Sequence, residues 1–254
     1  MGECTFWGDP HIQTFDGSHP SFYGEGEFFI VKSDTVIIQG RYLGTTYTEG
    51  LAATDKVAVG GPFLEGHVII VGCLDDGDIL VDGQPVLTDF PSTFNLGGLA
   101  AITYSTEGRV VDKANAGWEK HIVHMQLPLG VRLTILRWDN YLDLRLSMPP
   151  QLNQDGSCGN FDGIPDNDST EAIMRRVGYR VPEEDLLFHR RTEIRVSKTQ
   201  EQLLRLCAPT EKAKATEACK QEGALEPKEL QACLINACYG SNEHVLRMAK
   251  AMGL

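Results

Sequence analysis

Short β-type segments separated by turn residues run through the first two-thirds of this 254-residue chain and limit what it can fold into. The segments are rich in aliphatic and aromatic residues, and Gly, Asp, Asn or Pro interrupts the chain between them. The predicted strands are 28–31, 35–42, 56–59, 67–72, 79–81, 100–104, 109–111, 121–127, 132–138 and 141–146. Short strands with turn signals every eight to twelve residues or so are typical of an antiparallel sandwich or barrel. The chain is therefore predicted to be mainly β.

Two dipeptides in this region predict β-hairpin turns. Asp82-Gly83 lies between the segments ILV and QPV, and Asp139-Asn140 lies between LRW and YLDL. Such pairs of turn residues, flanked by strand-like segments, favour tight hairpins. After the second turn, Leu142, Leu144 and Leu146 alternate with Asp143 and Arg145, as expected for a strand with one apolar face.

The last third of the chain changes character and predicts helices. Segments 170–177 and 182–190 each have the length of one or two helical turns, and 192–198 is a weak strand candidate. Beyond residue 200, Pro and Gly bound predicted helices at 209–221 and 227–237, and apolar residues at helical spacing predict a third at 244–252. We therefore expect a β-domain at 4–175, a connecting segment at 176–199 and a helical cysteine module at 200–254.

The charge and hydropathy of the chain argue against nucleic-acid binding and against a membrane-spanning helix. The net charge of −12 argues against nucleic-acid binding, which needs a basic surface. No apolar run approaches the roughly 20 residues of a membrane helix, and no signal peptide precedes the first cysteine. We expect the chain to be a piece of a longer secreted or surface protein.

The seven cysteines form no CxxC pair and no zinc-ligand spacing. Free cytosolic thiols are one explanation. An oxidising compartment is favoured because Cys207, Cys219, Cys233 and Cys238 fall on what resemble paired helices. Of the pairings open to these four, a helical hairpin favours the nested one, Cys207–Cys238 with Cys219–Cys233.

Residues 157–168, SCGNFDGIPDND, form an acidic loop with oxygen donors at regular spacing. Asn160, Asp162 and the main chain of Ile164 fall at every second residue, and Asn167 and Asp168 follow a bend. Alternating oxygen ligands followed by a late carboxylate are how short loops bind Ca²⁺. The alternative is a solvated turn rich in Asn and Asp. The spacing alone leaves both open.

Two motifs at opposite ends of the β-region point to a family. The pattern CTFWGDPHIQTFDG from Cys4, together with CGNFDG from Cys158, resembles the von Willebrand factor type D domain. The intervening segments GPFLEGHVIIVG and LPLGVRLTILRWDNYLDLRLSMP also fit the family's style. The segment QACLINACYG resembles, more loosely, a shortened form of the cysteine-rich helical module called C8 that follows such domains.

The resemblance implies an extracellular mainly β-domain, a sandwich or barrel-like fold with a small disulfide-braced helical appendage. It implies a calcium ion near a closing disulfide between Cys4 and Cys158. In the chain-entropy model a disulfide closing so long a loop is worth about 4–5 kcal/mol. The implied calcium ligands are Asp16, Asn160, Asp162, the carbonyl of Ile164, Asn167 and Asp168. Cys73, at the end of an apolar segment, is predicted to be a buried thiol.

One motif suggests chemistry. The Gly8-Asp9-Pro10-His11 tetrapeptide resembles a self-cleaving site of some type D domains, in which the Asp9 carboxylate attacks its own carbonyl and the bond to Pro10 breaks. His11 could move the protons, and the activated end could cross-link to a partner. The alternative is an uncut strained turn. No hydrolase elbow or nucleotide-binding loop occurs elsewhere.

These observations predict a non-enzymatic, calcium-stabilised extracellular module for adhesion, matrix assembly or multimerisation. Self-cleavage between Asp9 and Pro10 is the alternative function. The expected partners are other extracellular domains or further copies of the chain.

Overall fold

The computed structural model describes residues 1–8, 10–75, 77–108, 119–224 and 226–239. These described residues form thirteen strands: β1 (Gly2–Trp7), β2 (His11–Gln13), β3 (Gly26–Lys32), β4 (Ile37–Gly44), β5 (Ala52–Gly60), β6 (Ile69–Gly72), β7 (Ile79–Val81), β8 (Gln84–Pro85), β9 (Ser92–Leu96), β10 (Ala100–Ser105), β11 (His121–Gln126), β12 (Arg132–Arg137) and β13 (Leu142–Met148). The helices in the same ranges are α1 (Thr170–Val177), α2 (Lys198–Leu206), α3 (Pro209–Gln221) and α4 (Pro227–Tyr239).

The strands make two antiparallel sheets. Sheet A has the order β2-β1-β13-β12-β11-β10-β9, and sheet B has the order β3-β4-β5-β6-β7-β8. Neither sheet closes on itself among the described strands, so the fold is a two-sheet arrangement and not a barrel. Both sheets contribute to one buried core, in which Ile38 and Val57 of sheet B join Leu133 and Leu144 of sheet A. The predicted mainly β class is confirmed.

The predicted hairpins are confirmed at the two dipeptides of turn residues. Asp82 and Gly83, with φ of 51° and 75°, join β7 to β8, and Asp139-Asn140 joins β12 to β13. The positive φ values at both central residues of the first turn are those of the tight hairpins that favour Asp-Gly. Strand β9, with the sequence STFNL, was missed, although its two apolar residues, Phe94 and Leu96, lie on one face and pack against the core. The predicted strand 109–111 lies outside the described residues.

The helix predictions are correct at α1 and α3, and the predicted helix 227–237 matches α4 to within two residues at its end. Segment 182–190 contains only a single 3-10 turn, Glu183–Asp185. The predicted strand at 192–198 is wrong, because the chain there is irregular and leads into α2. Ser197 and Gln200 form a capping box at the start of α2, a sequence signal that could have identified it. The predicted helix 244–252 lies outside the described residues.

The C-terminal helices pack directly on the β-region. Leu203 of α2 and Ile235 of α4 belong to the same buried core as the sheets. The amide of Gly24 donates to Oδ1 of Asn236 at 2.8 Å. The disulfides Cys207–Cys238 and Cys219–Cys233 brace the helices against each other, in the nested pairing that a hairpin favours.

None of the described helices has the length and apolar character needed to cross a membrane. Cys73 is buried and takes part in no disulfide.

Candidate metal centre

The acidic loop, residues 157–168, begins on the edge of sheet B. The amides of Ser157 and Cys158 donate to the carbonyls of Phe29 and Ile30, at 2.8 and 3.0 Å. Cys158 is also bonded to Cys4 of β1, across 154 residues of sequence. The start of the loop is therefore fixed to both sheets, and the pairing is the one that the family resemblance implies.

Asp16 enters this loop from the turn after β2. Its Oδ2 accepts from the amide of Asp162 at 3.0 Å and its Oδ1 from the amide of Gly163 at 2.9 Å. The neighbouring Phe15 and Phe161 rings stack with centroids 4.7 Å apart. The structure thus joins Asp16 to Asp162 across 146 residues of sequence, because β1 and β2 pair beside the disulfide.

Asp162 is the centre of the hydrogen bonds within the loop. Its Oδ2 accepts from the side-chain amides of Asn160 and Asn167, at 3.0 and 2.8 Å, and its Oδ1 accepts from the amide of Ile164 at 2.8 Å. The bond from Asn167 is the largest of the effects that lower the pKa of this carboxyl. Asp162 is therefore held as a carboxylate at the loop surface.

Asp168 lies at the other end of the loop and is buried. Its Oδ1 accepts from Arg176 Nη2 at 3.0 Å and, more weakly, from the amide of Asn160 at 3.4 Å. Its Oδ2 is buried without a hydrogen-bond partner among the described residues. Burial is the main cause of the raised pKa of this carboxyl.

A second oxygen in the loop has the same property. Oδ1 of Asn167 is buried and has no hydrogen-bond partner in the described ranges. Leaving a buried acceptor unpaired costs on the order of 1–3 kcal/mol, so such atoms need an explanation. The carbonyl of Ile164 accepts a long bond, 3.4 Å, from the amide of Asn167.

The donor set has the chemistry of a Ca²⁺ site. Every expected ligand is an oxygen, and Ca²⁺ takes carboxylate, amide and carbonyl oxygens in flexible geometry. Asn160 and Asn167 both turn their NH₂ groups to one oxygen of Asp162. A cation beside that oxygen would favour the reversed amides, with both Oδ1 atoms inward. The residues present therefore fit the ion.

The carboxylates by themselves do not form a ready-made metal cluster. Among the described residues, no three His, Cys, Asp or Glu side chains stand together as a metal-binding group. Amide and carbonyl oxygens would have to complete the coordination. Asp166, which is not one of the expected ligands, is exposed on a 3-10 turn, Pro165–Asn167.

Two residues at this site were not identified from the sequence. Arg176 of α1 donates hydrogen bonds to both Asp155 and Asp168, and no local motif indicates these contacts. Gly159 has φ of 84° and lies directly against the Asp168 carboxylate. A CGN motif indicates a turn, but the carboxylate that approaches it depends on tertiary structure.

The second candidate site lies at the turn between β1 and β2. Asp9 is outside the described residues, whereas Gly8 donates its amide to Oδ1 of Asp143 at 3.0 Å. Oδ2 of the buried Asp143 accepts from Nε1 of Trp138 at 2.8 Å. The rings of Trp7 and His11 lie 5.9 Å apart. A buried carboxylate thus fixes the backbone just before the Asp-Pro bond.

Comparison with known proteins gives a consistent result. The family model of the von Willebrand factor type D domain matches residues 4–173. SCO-spondin of Gallus gallus is 29% identical over 174 residues, which cover 66% of this chain and 3% of that protein. Mucin-4 of Homo sapiens is 27% identical over 203 residues, 72% of this chain and 3% of the relative. Zonadhesin of Oryctolagus cuniculus is 27% identical over 177 residues, 66% and 7% respectively. The chain spans only a small part of each of these relatives.

Proposed function

This chain belongs to the von Willebrand factor type D domain family, and from that premise we propose that it is a non-enzymatic, calcium-stabilised module of an extracellular protein. Its role is to hold together a larger adhesive or matrix-forming assembly. Two of the similar proteins bear the names of a mucin and of an adhesin, which supports this class of function. The three disulfides support an oxidising compartment.

The calcium proposal rests on the buried Oδ2 of Asp168, which has no hydrogen-bond partner among the described residues. A bound ion would pair with this oxygen and would link Asp16 to the acidic loop. The residues that would hold it are Asp16, Asn160, Asp162, the Ile164 carbonyl, Asn167 and Asp168. The ion would supply a cross-link between the start and the end of the β-region, a stabilising role and not a catalytic one.

Thermal unfolding in calcium and in EDTA tests this proposal. Chelation is expected to lower the Tm of the wild-type chain by about 5–10 °C, the effect of a few kcal/mol of bound-ion stabilisation on a chain of this size. Asp162→Ala should abolish the difference. Asp166→Ala removes the same charge from an exposed position of the same loop and should retain it. A wild-type Tm unaffected by EDTA would show that the calcium assignment is wrong.

We propose that α2, α3 and α4 are a shortened C8-like module. The two disulfides that connect α2 and α3 to α4 support this assignment. Mild reduction followed by limited proteolysis should give cuts within 207–238 before any cut in the sheets. Cuts that begin in the sheets would argue against a separate helical module.

Assembly can be measured directly. Sedimentation velocity over a range of micromolar concentrations should detect self-association if copies of the chain are the partners. A single monomeric species at every concentration would leave other extracellular domains as the proposed partners.

The alternative function is self-cleavage at Asp9-Pro10. The observation that favours it is the Asp143 carboxylate, which fixes the amide of Gly8 beside His11. Scission would release a nine-residue peptide that stays attached through Cys4 until the disulfide is reduced. Intact mass before and after reduction decides the matter, because an uncut chain keeps its full mass in reductant.

A further inference from the structure

Arg176 ties the acidic loop to the rest of the β-region. It lies in the last turn of α1, whose N-cap, Ser169, directly follows Asp168. Helical side chains lean toward the N-terminus, so the guanidinium of Arg176 lies back over the end of the loop. It donates to Oδ1 of Asp168 at 3.0 Å and to the main-chain carbonyl of Asn167.

The same guanidinium makes a two-point contact with Asp155. Nε and Nη2 of Arg176 donate to the two carboxylate oxygens of Asp155, at 2.5 and 3.0 Å. The backbone of Asp155 is itself paired with Lys32 of β3 in both directions, at 2.7 and 2.8 Å. Arg176 thus connects the loop to a fixed point at the end of β3. Bidentate pairs of this kind set geometry as well as charge.

The contact divides the two oxygens of Asp168 between two environments. Oδ1 is held by Arg176, while Oδ2 is buried without a described partner and lies beside Gly159. The side chain of Asp168 has no exposed surface. When no metal is present, the positive charge of Arg176 therefore compensates the buried carboxylate. A guanidinium in this position also repels a cation bound at Oδ2.

We infer that Arg176 is a positioning residue of the proposed calcium site: it holds Asp168 in place when the metal is absent and weakens calcium binding when the metal is present. The inference rests on the proposed function. It predicts a site whose affinity is limited by a built-in positive charge, in a loop that stays folded without the ion. When Ca²⁺ binds, the ion would take over part of the role of Arg176 in holding Asp168.

Calcium titration by calorimetry, with Tm measured in calcium and in EDTA, tests the inference on the full chain. Arg176→Gln removes the charge and is expected to bind Ca²⁺ about ten-fold more tightly, with a larger Tm difference between calcium and EDTA than the wild type. Arg176→Lys keeps the charge without the forked contact. It should bind Ca²⁺ within about three-fold of the wild type but have a lower Tm in EDTA.

Arg175→Gln is the matched control. Arg175 is the preceding residue of α1, and its 2.8 Å pair with Glu171 is exposed, with side-chain exposures of 66% and 61%. This variant removes the same formal charge without touching the loop, so both measurements should stay at the wild-type values.

The outcomes separate the two proposals. A wild-type chain that neither binds Ca²⁺ nor responds to EDTA overturns the calcium site itself. A wild-type chain that binds, with Arg176→Gln equal to it or weaker, overturns the role of Arg176. Should Arg176→Gln fail to fold, Arg176→Lys decides, because a Tm in EDTA equal to that of the wild type rejects the holding contact.

Discussion

A β-carbon on Gly159 would lie 1.9 Å from Oδ2 of Asp168. Real β-carbons are essentially never found under 3.0 Å from another heavy atom, so only glycine allows the carboxylate to occupy this position. The contact places the backbone after the Cys158 disulfide directly against the innermost carboxylate of the acidic loop. Loop closure at the proposed metal site therefore depends on a residue that has no side chain.

Gly159→Ala is expected to displace Asp168, to lower the free energy of unfolding and to remove calcium binding. Gly163→Ala is the control, because Gly163 has φ of 85°, close to the 84° of Gly159, but a β-carbon added there would meet no atom within 4 Å. Both variants carry a backbone penalty of about 1–2 kcal/mol, and only the first adds the collision. Urea unfolding and calcium calorimetry measure the difference. Equal losses in the two variants would show that the Gly159–Asp168 contact does not matter.

The sequence indicates the candidate donors of the proposed metal site, but not the residues that hold those donors in place. Asn160, Asp162 and Asp168 stand in one short segment whose spacing is visible, and the TFDG motif that supplies Asp16 came from the family resemblance. Arg176 and Gly159 both contact Asp168, and these contacts form only when α1 and the acidic loop pack against each other. The spacing of residues along the chain does not predict such tertiary contacts.

A buried ionic network provides the second prediction. Glu27 of β3 is fully buried, and its Oε2 accepts from Nε and Nη2 of Arg180 at 2.9 and 2.6 Å. Arg180→Met should remove both hydrogen bonds to Oε2, while Oε1 keeps the 3.0 Å bond from Nε of Arg41, and should cost about 3 kcal/mol of unfolding free energy. Arg175→Met, at an exposed ion pair, should cost less than about 1 kcal/mol. Chemical denaturation that gave similar losses for both would contradict a stabilising role for the buried pair.

The third prediction concerns the joint between the helices and the sheets. A β-carbon on Gly24 would lie 2.4 Å from the main-chain oxygen of Ala232 in α4. Gly24→Ala should therefore move α4 and lower the Tm, with earlier proteolysis of the helical segment. Gly17→Ala, at φ of 87° with open space around it, carries only backbone strain. If Gly24→Ala lowered the Tm less than Gly17→Ala, the packing of α4 against Gly24 would be looser than the contact indicates.

The fold was predictable from the sequence where local chemistry decides it. The Asp82-Gly83 turn and the Pro-bounded helix α3 were found at their observed places because their signals lie within a few residues. The segment 192–198 was misassigned because its residues suit a strand, whereas in the fold the amides of Thr192 and Arg195 donate to Glu27 and Glu25. In this segment, backbone amides that would pair with a neighbouring strand donate instead to buried carboxylates.

The last prediction compares two disulfides that close loops of different length. Cys4 and Cys158 are 154 residues apart, and Cys219 and Cys233 are 14 apart. In the chain-entropy model the first bond contributes about 4–5 kcal/mol and the second about 3 kcal/mol. Denaturant unfolding of the double Ala variants, Cys4→Ala with Cys158→Ala and Cys219→Ala with Cys233→Ala, should preserve that order.

Calcium binding distinguishes the two bonds further. Cys158 is the second residue of the acidic loop, and its carbonyl accepts from the amide of Phe15, next to Asp16, at 3.0 Å. Removing the Cys4–Cys158 bond should therefore loosen the approach of Asp16 to Asp162 and weaken calcium binding. Removing Cys219–Cys233, which lies in the helices, should leave the calcium affinity unchanged. Equal calcium affinity in both double variants would mean that hydrogen bonds alone hold Asp16 against the loop, and that the disulfide contributes only to global stability.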